Sequence, residues 1–197
     1  MFYEPKSGHP LPHNPFKACV APRPIGWIST VSRDGIVNLA PFSYFNAVLD
    51  DPPTVLFSAS GTHRDGPIKD TALNAKETGE FVYNMATWDL RQQMNLTSAS
   101  VPRAVDEFEL AALEKAPSRL VKPPRVALSP VQFECKTIKI VELSPINTIV
   151  FGEVIGIHID ERIVTNGRID LTKAQPIARL GYMEYAVVRE LFEINRP

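Results

Sequence analysis

Cysteine is scarce in this chain of 197 residues: Cys19 and Cys135 are the only two. Two thiols cannot build a disulfide framework at this length, so a reducing cytoplasmic setting is expected. So distant a pair is no zinc set either, and no metal site is expected. Cys19 should be a small buried hydrophobe, the commonest fate of a free thiol. Net charge is nearly absent as well, at -1. That removes the basic footprint of a nucleic-acid binder. No apolar run reaches the ~20 residues that a membrane-spanning helix requires. The N-terminal stretch lacks a basic segment followed by an apolar one, so it does not read as a secretory signal.

Proline, in contrast, is abundant, with 18 residues in a chain that is 44% hydrophobic and 22% charged. Helix interiors and central strands both tolerate it poorly. The prolines fall between patterned segments, and no composition shift marks a boundary. One domain over residues 1–197 is expected, with residues 1–18 as an extended arm.

Strands are predicted over Ile25–Ser32, Ile36–Ala40, Thr54–Ser60 and Phe81–Ala86 from β-branched and alternating patterns. Asp34-Gly35 marks a hairpin between the first two. Val55, Phe57 and Ala59 alternate with Thr54, Leu56 and Ser58, the pattern of a half-buried strand. The longest strand is predicted over Asn147–Asp160, with its odd positions Ile149, Phe151, Ile155, Ile157 and Ile159 as the apolar face. At Gly152 and Gly156 another backbone or a ligand has room to approach. Gln132–Leu143 changes phase between Cys135 and Ile138, which a bulge would explain. A closing strand is predicted over Glu184–Phe192. Short helices are expected from Asp70, as cap, to Glu77, with a stop at Gly79, and over Thr87–Leu96 and Asp106–Lys115. Many strands with few short helices point to a mainly β, closed-barrel architecture.

Ser58 to Thr71 is the chemically rich loop. Hydroxyls, Arg64 and Lys69 run straight into a helix start, a setting that suits a phosphate dianion. It is not a Walker loop and carries no GxGxxG. Taken alone, such a loop is more often a solvated connection ahead of a capped helix. A second loop, Asn38 to Phe45, places a proline, a hydroxyl and aromatics after a strand, as a wall for a flat heterocycle would. Individually, Phe42 and Phe45 read as core.

Together these segments resemble a known family. The residues are Arg23 to Thr30, Asp34-Gly35, Asn38 to Phe45, Pro52-Pro53, Ser58 to Ser60, Lys69 to Thr71, Asn74 and Phe81 to Asn84. They are similar to the N-terminal half of the flavin reductase-like FMN-binding family, which includes flavoredoxins. The likeness continues through Met94 to Ser98, Phe151 to Val154 and Leu180 to Tyr182. Each short match is weak, but collectively they are specific over about residues 16–190. The resemblance implies an FMN-binding split barrel of Greek-key type that dimerises with FMN near the subunit interface. It implies that Ser29 and Thr30 line the flavin, and that Phe42, Ser43 and Tyr44 contact the ring edge or ribityl chain. Ser58, Ser60, Arg64, Lys69, Asp70 and Thr71 would surround the phosphate. Arg179 and Tyr182 would approach the same cofactor.

Two activities follow. One is a reductase moving electrons from NADH or NADPH through FMN to free flavin, a partner oxygenase or another acceptor. The other is a non-enzymatic FMN electron carrier. A barrel for another phosphorylated ligand, such as pyridoxal phosphate, is a third alternative. No general acid or nucleophile is assigned, because the flavin carries the reaction. One departure stands out. Asn147 occupies the place where typical members carry a histidine near flavin and nicotinamide. His158 is expected on a rim, and His63 in solvent.

Overall fold

Seven strands form one antiparallel sheet: β1 (Gly26–Val31), β2 (Val37–Phe42), β3 (Phe45–Asp50), β4 (Pro53–Ser60), β5 (Glu80–Met85), β6 (Val131–Ser144) and β7 (Asn147–Ile159). The structure is a computed structural model and describes residues 1–196. The order across the sheet is β2-β1-β5-β6-β7-β4-β3. Its two outermost strands, β2 and β3, are consecutive in the chain and joined only by Ser43 and Tyr44. At about 3.8 Å per residue that link cannot cross a flat sheet whose strands stand ~4.8 Å apart. The sheet therefore curls until its ends meet at a seam, which is the expected mainly β split barrel.

Neighbouring residues of β1 feed two cores. Ile28 joins Phe57, Phe81, Cys135 and Val150 inside the barrel, all fully buried. Trp27 joins Leu39, Phe108 and Val126 on the outside, also fully buried. That second core is covered by the helices Arg91–Leu96 and Glu107–Leu110. Both are shorter than predicted. Residues 88–90 form a turn, and Asp106 caps a helix that ends where Ala112 takes a positive φ of 51°.

The helix Asp70–Thr78 lays Ala72 and Ala75 against the barrel interior. Its N-cap is Lys69 rather than Asp70, and Gly79 closes it with φ 72° and an N–H donated to Ala75 O. The Asp34-Gly35 hairpin forms as expected, with Gly35 at φ 84°. Proline 41 lies inside β2, tolerated because β2 is an outer strand of the sheet.

The face of β7 is reversed from expectation. Thr148, Val150, Gly152 and Val154 are buried, whereas Ile157 and Ile159 are exposed. Gly152 explains it, since a Cβ there would lie 2.3 Å from Phe81 Cζ. The interior is filled by that ring, so the close approach is made by a core side chain and not by a ligand. Where β6 changes phase, Phe151 pairs with Lys139 and Gly152 with Thr137, leaving Ile138 bulged. The closing strand shrinks to Tyr185–Val187, which pairs with Ile177–Arg179, itself paired with Arg23–Pro24. Cys19 is exposed rather than buried. It ends a one-turn helix, Phe16–Cys19, that interrupts the arm. No helix among the described residues is long and apolar enough to cross a membrane.

Candidate functional site

Two clefts join beside the seam, sharing Pro41 and Ser98 as walls. The narrow one, about 110 Å³, lies between β2 and the start of the Asp70–Thr78 helix, with Ser98 and Ser100 on its rim. Lys69 is extended and no side chain caps this helix, so its first-turn N–H groups remain available to an anion. Thr71 is buried, and its Oγ1 donates to Asn38 Oδ1 at 2.6 Å. Asn38 Nδ2 in turn donates to Glu107 Oε1 at 3.0 Å, and the Leu39 N–H donates to Glu107 Oε2 at 3.0 Å. Burial pushes the Glu107 carboxyl up to about 7, against the pull of those donors.

Asp70 is spoken for. Its carboxylate meets Arg103 Nε at 2.5 Å and His63 Nε2 at 3.1 Å. The negative charge that would oppose a phosphate is thereby neutralised. His63 is consequently drawn in, its side chain 8% exposed, rather than left in solvent. Arg103 also donates its N–H to Asp65 Oδ2 at 2.8 Å, drawing the 98–106 segment onto the 61–69 loop.

The wide cleft, about 610 Å³, is within the ~300–1,000 Å³ typical of cofactor sites. Its walls include Pro41, Ser43, Met94, Arg179, Tyr182 and Tyr185. Arg23, buried in its wall, bonds the carbonyls of Lys17, Val20 and Leu180 and so ties the N-terminal arm to the C-terminal segment. Gly181 permits that contact, because a Cβ there would fall 2.5 Å from Ala18 Cβ. Arg179 bonds the Tyr185 hydroxyl and the Tyr182 carbonyl, which fixes its guanidinium 4.5 Å from the Tyr185 ring centroid.

Of the residues expected at a flavin site, the narrow cleft brings together Phe42, Lys69, Asp70 and Thr71, and the wide one Ser43, Arg179 and Tyr182. Phe42 doubles as core, its ring 5.2 Å from that of Phe57. The others line neither cleft. Ser29 is fully buried and donates to Pro124 O at 2.5 Å. Thr30 is fully buried and accepts from Asn74 Nδ2 at 3.1 Å, behind Asn38. Tyr44 lies 5.9 Å from the Arg23 guanidinium. Ser58 is half-buried and Ser60 exposed, the latter opposite Asn147 in the β4–β7 ladder. Arg64 is 55% exposed and paired with Asp65 at 3.7 Å. Asn147 donates to Ser144 Oγ at 2.7 Å. Arg103 and Glu107 went unmarked in the sequence, and Arg23 and Asn38 lay in the resembling segments without a role of their own, because each acts through partners remote in the chain.

The flavin reductase like domain matches residues 19–177. The chain belongs to the flavin reductase-like family. An Aquifex aeolicus protein is 42% identical over 167 residues, covering 84% of both chains. Among solved structures, nitrilotriacetate monooxygenase component B from Bacillus cereus is 30% identical with a TM-score of 0.84, covering 95% of this chain and 100% of that one. A Shewanella frigidimarina protein classed as a flavin reductase with a split-barrel domain is 23% identical with a TM-score of 0.81, covering 92% of this chain and 90% of that one. Its likeness supports the fold. The family match ends at residue 177, so Arg179 and Tyr182 lie beyond it.

Proposed function

We propose that this chain is a flavin-dependent oxidoreductase that holds FMN across the two joined clefts. The observation that carries the reading is the pairing of an uncapped helix start, flanked by Lys69 and the Arg103–Asp70 pair, with a larger aromatic-walled cleft that shares its walls. The first end suits a phosphate and the second a planar ring system. Lys69 and the first-turn N–H groups would hold the phosphate, and Thr71 would be oriented by Asn38. Pro41, Ser43 and Tyr182 would flank the ring. A flavin bound there supplies hydride and electron transfer at its own ring. NADH or NADPH is the proposed donor. Likeness to a monooxygenase component B favours a partner oxygenase, directly or through free flavin, as acceptor.

A second reading, an FMN carrier that does not oxidise nicotinamides, is favoured by Asn147. This position carries an amide bonded to Ser144 instead of an imidazole. A homodimer is proposed in either case. Its support is the apolar outer surface of the longest strands, where Ile138, Leu143, Ile157 and Ile159 are all exposed.

The test is an absorption spectrum of freshly purified protein, followed by FMN and riboflavin titrations of the wild type and Lys69→Ala. The reading expects a yellow protein and at least tenfold weaker FMN binding by the variant, with riboflavin unchanged. Failure of either flavin to bind would sink it. Anaerobic bleaching by NADH or NADPH would select the enzyme over the carrier, and light scattering above 21.9 kDa would support the dimer.

A further inference from the structure

Beyond the wide cleft the surface continues into a smaller trough of about 290 Å³, reached past Met94, Asn95 and Tyr185, which line both. Its lining is mainly apolar, and its far end is Trp88. The Trp88 backbone N–H donates to Gln175 O at 2.9 Å, which anchors the residue there, and the side chain remains partly exposed. Two guanidinium groups lie against this one indole. The Arg91 guanidinium is 3.9 Å from the ring centroid and that of Arg189 is 4.8 Å.

Cation–π attraction favours each arginine separately. Two like charges on one ring also repel each other. Among the described residues neither arginine has a carboxylate within 4.0 Å; the ion pairs of the chain lie elsewhere. Arg91 spends one bond on the Trp88 carbonyl, at 2.6 Å. Asp89, the neighbouring acid, lines a different cleft with Leu90. The trough therefore combines a small apolar slot with Arg91 in its wall, while Arg189 reaches the same indole from outside the lining. A guanidinium stacked on an indole presents its donors in its own plane, the geometry that grips a carboxylate edge-on.

We infer that this trough is a binding subsite for small planar aromatic carboxylates, with the ring over Met94 and Ile177, the carboxylate on Arg91, and Arg189 adding its positive charge from beside the indole. Its volume suits a single ring. Its continuity with the wide cleft places the occupant beside the proposed flavin. The role of acceptor or effector subsite rests on the flavin reading, whereas the binding itself does not.

Calorimetry with three probes tests it: benzoate, benzamide (same ring, no charge) and cyclohexanecarboxylate (same charge, no flat ring). Benzoate should bind at least tenfold more tightly than either analogue. Arg189→Gln should lower benzoate affinity several-fold. It lies in the exposed, irregular C-terminal stretch, so the fold is not at risk. The double variant Arg91→Gln/Arg189→Gln should reduce benzoate to the level of benzamide while FMN titrations stay unchanged. Equal binding of benzoate and benzamide, no benzoate binding, or indifference to both substitutions overturns the proposal. If FMN fails to bind yet benzoate binds in an arginine-dependent way, the flavin reading falls and the subsite stands. On flavin-loaded protein, benzoate should perturb the visible flavin bands, and an unmoved spectrum would overturn its position beside the ring.

Discussion

Glu107 grips Asn38 from outside the barrel: one carboxylate oxygen takes the Asn38 amide and the other takes the adjacent Leu39 N–H, each at 3.0 Å. A helix-start carboxylate thus does for the exposed edge of β2 what a neighbouring strand would otherwise do. Through Asn38 it also sets Thr71, at the mouth of the proposed phosphate site.

That carboxyl titrates near neutrality, which gives the fold a pH dependence of defined sign. Between the ordinary value of 4.5 and about 7, folded Glu107 retains a proton that the unfolded chain has released. Stability contributed by this group is therefore greatest below that window and falls as pH rises through it. Thermal melts between about pH 5 and pH 8 should show a decline in wild type that Glu107→Gln flattens. Parallel profiles would show that Glu107 ionises normally.

At the proposed phosphate site Arg103, paired with Asp70, should matter more than the exposed Arg64. Arg103→Ala strips Asp70 of its arginine partner and leaves a buried negative charge beside the proposed phosphate site. FMN affinity should fall about tenfold, equivalent to ~1.4 kcal/mol. Adding Asp70→Asn should restore most of it, because the opposing charge is gone. Arg64→Ala, at an exposed pair with Asp65, should change affinity less than twofold. Fluorescence titration of FMN against the four proteins decides the matter, and the reverse ranking of the two arginines would refute it.

Gly152→Ala should destabilise the barrel by about 1–3 kcal/mol, because the new methyl lands on the Phe81 ring. Phe81→Leu frees that space, so the double variant should lose less than the sum of the two single losses. A chemical-denaturation cycle reads the coupling, and simple additivity would contradict the contact.

Glu134 is fully buried and accepts N–H groups from Arg119, Leu120 and Val121, with His158 Nε2 2.5 Å away. Burial alone would raise its carboxyl, but the Arg119 N–H, His158 and the Leu120 N–H bring it below the usual range. Its contribution is present above the ordinary carboxylate pKa and lost as pH falls. Glu134→Ala should cost at least ~3 kcal/mol, because it orphans three donors, and should loosen residues 117–123. Hydrogen exchange at those three amides is the direct measurement. Unchanged protection would show that the carboxylate is dispensable.

Local chemistry made much of the fold legible. Asp34-Gly35, the Gly79 stop, the Val55/Phe57/Ala59 alternation and the phase slip around Ile138 all rest on a few residues and their backbone needs. The long strand β7 was misread because both of its faces are apolar. Alternation then shows that two faces exist but not which one faces in, and the deciding partner, Phe81, is a distant ring. Strand β3 escaped notice for the opposite reason: from Asn46 to Asp50 it is exposed, with little pattern to betray it. The site divides the same way. Lys69 and Thr71 sit at a recognisable loop-to-helix junction. Ser29 and Thr30 belong to the same resembling segment, yet the strand turns their hydroxyls toward Pro124 and Asn74.

Arg23, clasping Lys17, Val20 and Leu180, closes the beginning of the polypeptide upon its final third. The wall draws on separate short stretches spread from Asn14 to Tyr185, so little of it can organise before nearly the whole chain is threaded. A guest lodged there would act as a keystone, contributing RT ln(1 + [L]/Kd) to stability. Its departure should release both ends together.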